Sequence, residues 1–247
     1  MNEHTVITLA AYTDLVETIE GNWNEILFRG QSQDKPLIPS LGRLKLLDTI
    51  SETEISIMDD FKTISAPFYT RPLNNIYEWT AVAQHHGAPT RLLDWSLNPL
   101  AALYFAVYQP PIPGSDHSVV WMLRVSPNDY MIEKEMTNIR CKRPWIYQPR
   151  HIVDRITAQS AYFTTHKTTA DDIAFENFEN SEEFGNKLTK IIIPSGRFAH
   201  FRFHLDRFGI NEASIYPGLE GISRHLKMKW SCASDESPVA VVERRRR

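Results

Sequence analysis

The chain has 247 residues, 42% of them hydrophobic and 11% aromatic, which is enough to bury a sizeable core and excludes a disordered polypeptide. With 27 Lys and Arg against 30 Asp and Glu, the formal charge of −3 excludes a general electrostatic pull toward nucleic acid or acidic membranes. Cys141 and Cys232 lie far apart, which excludes a disulfide framework or zinc-finger spacing, and the opening residues lack the basic start and apolar run of a secretory signal. No apolar stretch nears the roughly 18 residues that span a bilayer, so the expected compartment is the cytoplasm, with no membrane partner.

In chain order, residues 7–20 place Leu9, Tyr12, Leu15, Val16 and Ile19 at helical spacing. Ile26 to Gly30 reads as a short strand, and Pro36, Pro39 and Gly42 mark a loop. Ser51 with Glu54 reads as a capping box opening a helix through about Tyr69. Residues 75–86 predict a helix stopped by Gly87, residues 90–95 an extended segment, and Asn98-Pro99 the start of an apolar helix over 100–108. Residues 118–125 are the clearest buried strand, and 188–193 repeat that character. The acidic, weakly periodic 167–186 reads as a surface insertion, with helices following at 196–208 and 213–229. The expected fold is α+β: a small mixed sheet from strands near 25–29, 90–95, 118–125, 160–165 and 188–193, covered by helices. One domain spans 1–230, and the tail at 231–247 is expected to be loose.

A polar run, Gln84-His85-His86-Gly87-Ala88-Pro89-Thr90-Arg91-Leu92-Leu93-Asp94-Trp95, interrupts apolar surroundings. Charges in such a setting need partners. The architectural reading is that Arg91 pairs with Asp94 or with nearby carbonyls to fix a turn. The functional reading rests on the crowding of His, Thr, Arg, Asp and Trp into so few positions. Arg29, another polar interruption, is expected to lie close to this block.

These residues resemble the FRG-domain family. Its Phe-Arg-Gly signature stands at Phe28-Arg29-Gly30, and its second block at Gln84 to Trp95 followed by Asn98-Pro99 and Leu100 to Ala106. A looser third block stands at Arg155, Gln159 and Phe163, and Gly209 to Pro217 is similar to the family's ending. The resemblance implies a component of bacterial or phage conflict and defence systems. The order of elements is also similar to ADP-ribosyltransferases, which implies that Arg29 holds NAD, gripping phosphate or ribose with its planar fork. NAD, or a related nucleotide, is thus the expected ligand, with Arg29, His85, Thr90, Arg91 and Trp95 as its binding residues. Arg29, Asp94 and Gln159 are the catalytic candidates. The chain departs from that pattern in having no Ser-Thr-Ser and no Glu-x-Glu. Glutamine at 159 cannot act as a carboxylate, which leaves Asp94, Glu212 or Glu220 for the role. The alternative is a non-catalytic sensing or protein-interaction module.

Other chemistries are weaker. His85 and His86 point in different directions on a helix, and neither a His-x-x-x-His nor a His-Glu-x-x-His spacing is picked out, so no metal is expected. Trp145, Tyr147, Arg150, Phe198, Phe201, Arg202, Phe203 and Arg207 mix rings with charge, as single-strand binders do. The Phe residues, however, read as core, leaving the basic residues on the solvent side, so nucleic acid is not the expected partner.

Overall fold

The computed structural model describes residues 2–21, 25–69, 72–149 and 161–245. Seven strands form one mixed sheet: β1 Asn2–Thr5, β2 Glu25–Gln31, β3 Leu93–Ser96, β4 His117–Val125, β5 Trp145–Tyr147, β6 Ala161–Thr165 and β7 Leu188–Pro194, in the order β1-β7-β4-β2-β3-β6-β5. β1 runs parallel to β7, and every other neighbour is antiparallel. The helices are α1 Leu9–Glu20, α2 Ile50–Ser65, α3 Ile76–His85, α4 Pro99–Val107, α5 Phe198–Arg207, α6 Glu212–Ile215, α7 Leu219–Trp230 and α8 Pro238–Arg245. The fold is α+β.

Side chains alternate between the two faces of the sheet. Ile26, Phe28, Val120, Met122, Ile191 and Ile193 pack against residues of α1, α4 and α5. Leu27, Trp95, Val119, Trp121, Leu123 and Leu188 form a second core with Leu37, Phe178 and Phe184. The helices start where short polar side chains take up free N–H groups: Thr8 accepts from Ala11 N, Asn75 from Glu78 N, and Asn98 from Leu100 N and Ala101 N, with Pro99 in the first turn. Gly87, at φ +91°, ends α3 in the left-handed conformation expected of a glycine stop.

Gly30 explains the third letter of Phe-Arg-Gly. A Cβ there would lie 1.8 Å from the Ala102 carbonyl oxygen and 2.7 Å from the Ala106 nitrogen. The absent side chain lets β2 lie directly against the backbone of α4.

Several expectations need correction. The edge strands β1 and β5 escaped the sequence reading: β1 is polar and exposed throughout, and β5 is three residues long, so neither shows a hydrophobic alternation. α2 is capped by Thr49, which accepts from Glu52 N, while Glu54 is turned into the core. The acidic 167–186 segment is no surface insertion, because Phe175, Phe178 and Phe184 are buried beneath it. The helix expected over 213–229 is broken into α6 and α7 at Pro217-Gly218, where Gly218 has φ +122°. The tail contains α8, and Val241 is buried. Arg202 does not face solvent. It is buried, donates to the carbonyls of Val107 and Gln109, and pairs with Asp235 at 2.5 Å.

Candidate functional site

The sheet has a seam. β2 and β3 share one paired position, Phe28 with Ser96, and then part. Past that point Arg29 takes over the connection: its Nη1 donates to the Asp94 carbonyl at 2.7 Å and lies 3.9 Å from the Asp94 carboxylate. Arg29 and the 84–95 block thus converge as their need for partners requires.

A cleft of about 470 Å³ opens at this seam, a size within the range of small-molecule sites. Arg29, Lys35 and Arg43 supply its positive charge, Phe105 and Tyr108 its partly exposed rings, and Trp95 and Phe163, 2% and 3% exposed, lie almost wholly buried at its base. His85, Gln84 and Asp94 also line it; among the described residues Asp94 is the one carboxylate doing so. The Asp94 side chain is 59% exposed, against 18% for Arg29, so their ion pair contributes little stability. Burial lowers the Arg29 pKa to about 10, opposed by the Asp94 carboxylate and assisted by the charge of Arg43. Arg29 therefore remains a cation at neutral pH. Its Nε is buried with no hydrogen-bond partner among the described residues.

The rim is braced from both sides. Arg43 donates from Nε to the Ile38 carbonyl at 3.0 Å. Asp34, one residue from Lys35, accepts from Lys190 at 2.5 Å and lies 3.3 Å from His117 Nε2. Partial burial raises the Asp34 pKa, but these two partners hold it below the ordinary value.

The polar run is one connected network. The Thr90 hydroxyl donates to Gln84 Oε1, and Gln84 Nε2 donates to the Leu92 carbonyl at 3.1 Å and to Asp94 Oδ2 at 3.0 Å. Gln84 thus fixes the carboxylate whose own carbonyl anchors Arg29. The expected Arg91 to Asp94 pair does not form. Arg91 is buried and pairs with Glu54: Oε2 accepts from Arg91 Nε at 2.5 Å and Oε1 from its main-chain N at 2.9 Å. Burial pushes the Glu54 carboxyl upward, and the Arg91 guanidinium pulls it back.

Of the residues expected to bind ligand, Arg29, His85 and Trp95 line the cleft, while Thr90 and Arg91 are buried behind it as supports. Gln159 lies outside the described residues, as do Arg150 and Arg155. Glu220 pairs with Arg224 on the surface at 2.5 Å, and Glu212 belongs to α6 beside Tyr104; neither lines the cleft. His200 and His204 do stand at His-x-x-x-His spacing, with ring centroids 4.5 Å apart. Among the described residues, however, no group of three metal-ligating side chains is found.

Lys35, Arg43 and His166 were not picked out from the sequence. The two cations lie in a Pro-rich loop whose path is set by distant contacts, and a lone histidine has no neighbouring motif. His166 is buried behind Trp95: Trp95 Nε1 donates to Thr164 Oγ1 at 3.0 Å, and His166 Nε2 lies 3.0 Å from the same oxygen. Burial, then the charges of Arg29 and Arg91, push His166 down to about 3.

The unfolded chain takes up this proton near pH 6.5, whereas the folded protein refuses it until about pH 3. The His166 contribution is therefore complete above pH 6.5 and is lost as pH falls toward 3. Between pH 7 and pH 5 the loss is about 2 kcal/mol. Urea denaturation at the two values should show a fall of this size, and His166→Gln should largely abolish it.

No curated protein and no solved structure matches the chain. The sequence model of the FRG domain matches residues 24–112, a span that includes β2, α2, α3, the Gln84–Trp95 network, β3 and α4. Arg29, its anchoring carbonyl on Asp94, the Glu54–Arg91 pair and the close approach of Gly30 to α4 all lie inside the part of the chain that matches the FRG domain.

Proposed function

We propose that the cleft at the β2/β3 seam binds a nucleotide, with NAD the ligand that its chemistry fits best. The observation that carries the reading is the grouping of Arg29, Lys35 and Arg43 with the partly exposed rings of Phe105 and Tyr108 around one cleft. The cations suit a diphosphate, and the rings suit a base or nicotinamide.

Asp94 gives this reading an enzymatic form. In ADP-ribosyl transfer the bond from ribose C1′ to the nicotinamide nitrogen breaks, and nicotinamide leaves with the electron pair. The positive charge that develops on the ribosyl group is stabilised by the Asp94 carboxylate, and an acceptor nucleophile then forms the new bond to C1′ and passes its proton to Asp94 or to solvent. Gln84 would hold that carboxylate in place. The setting in bacterial or phage conflict rests on the family resemblance.

Calorimetric titration with NAD, together with an assay of nicotinamide release, tests both levels. Arg29→Met, which keeps the aliphatic stem, should remove binding while leaving the far-UV spectrum unchanged. Asp94→Asn should retain binding and abolish release. Binding without release in the wild-type protein would favour the sensing module. No binding of NAD would overturn the proposal.

A further inference from the structure

The aromatic wall of the cleft is held from behind by a group that touches no ligand. Indole can only donate, so Thr164 Oγ1 accepts from Trp95 Nε1. The hydroxyl proton is then available to His166 Nε2, 3.0 Å away. With that proton directed to Nε2, His166 is a neutral imidazole carrying its own proton on Nδ1, which is the tautomer the inference requires. Its surroundings agree: Phe178 lies 5.1 Å and Phe175 6.2 Å away, ring to ring, Cys141 Sγ contacts its carbonyl at 3.1 Å, and the nearby charges are the cations Arg29 and Arg91. The Phe178 ring also packs against Trp95, at 6.2 Å.

We propose that His166 is a positioning residue which, acting through Thr164, fixes the Trp95 indole in the orientation that shapes the ligand cleft. A neutral acceptor is the chemistry required. A cation here would reverse the bond from Thr164 and would stand beside the charges of Arg29 and Arg91. The claim about Trp95 stands on the geometry, whereas its consequence for ligand rests on the nucleotide reading of the cleft.

The indole resonance of Trp95 in a nitrogen-15 labelled protein, identified by its disappearance in Trp95→Phe, gives a readout that does not depend on ligand. In His166→Leu this resonance should move and its hydrogen exchange should quicken, while Trp121, bonded to Gln31 at 2.8 Å, keeps its signal. In His166→Gln, which retains an acceptor, the Trp95 signal should stay near the wild-type position. An unchanged Trp95 signal in His166→Leu would overturn the inference.

If the leucine variant fails to fold, the wild-type imidazole signals decide. They should report a neutral ring protonated at Nδ1 between pH 6 and 8. A charged ring, or one protonated at Nε2, would contradict the inference. Where wild-type protein binds ADP, His166→Leu should bind it about ten-fold more weakly, the net worth of roughly one hydrogen bond, and His166→Gln within about two-fold. If wild-type protein binds no ADP, the nucleotide reading fails and the Trp95 signals still decide this inference.

Discussion

Glu54→Ala should destabilise the protein by about 3–5 kcal/mol, lowering the melting temperature by roughly 10 °C. The Arg91 side chain is 1% exposed and that of Glu54 fully buried, so removing the carboxylate leaves a guanidinium charge in the core with no counterion. It also strips the Arg91 main-chain N–H of its acceptor. The exposed Arg29 to Asp94 pair supplies the contrast: Asp94→Asn should shift stability by less than about 1 kcal/mol. The double variant Glu54→Gln with Arg91→Met removes both charges and keeps an oxygen for the residue 91 N–H. It should recover most of the loss, as buried pairs replaced together commonly do. Urea denaturation of the three proteins checks this, and a Glu54→Ala loss below about 1 kcal/mol would contradict a dry, paired core behind the cleft.

Gly30→Ala should be severely damaging for so small a substitution. The added methyl would sit 1.8 Å from a main-chain oxygen and 2.7 Å from a main-chain nitrogen of α4, and neither can rotate away as a side-chain tip could. Relief requires α4 to separate from β2, which opens the core shared by Phe28, Ala102 and Ala106. The expected loss exceeds about 4 kcal/mol, and the variant should accumulate as insoluble protein or melt at a much lower temperature. A Gly30→Ala protein that melts close to the wild type would show that β2 and α4 are not in backbone contact. Because Gly30 and Ala102 also line the cleft, a variant rescued at low temperature should have a distorted cleft.

Parts of this architecture were legible because the signals were local. The apolar run at 118–125 became β4, Asn98-Pro99 opened α4, and the need of Arg29 for a partner brought it to Asp94. The partner of Arg91 was not legible. Glu54 lies 37 residues away and carries the spacing of a helix cap, so its local pattern competed with its tertiary role. The 167–186 segment misled for a related reason: its acidic residues set the average, while Phe175, Phe178 and Phe184 supply the buried contacts. Lys35 and Arg43 join the cleft through a loop pinned by Lys190 and by the Ile38 carbonyl, contacts that no sequence period encodes. His166 matters through two hydrogen bonds in series, which sequence spacing does not reveal.

The central claim is that the β2/β3 seam is a nucleotide site. It is tested most directly by mapping amide and side-chain resonances during titration with ADP. Saturable shifts are expected, concentrated at Arg29, Arg43, Asp94 and the Trp95 indole, and lost in Arg29→Met. Shifts clustered away from the seam, or none at millimolar ADP, would contradict it.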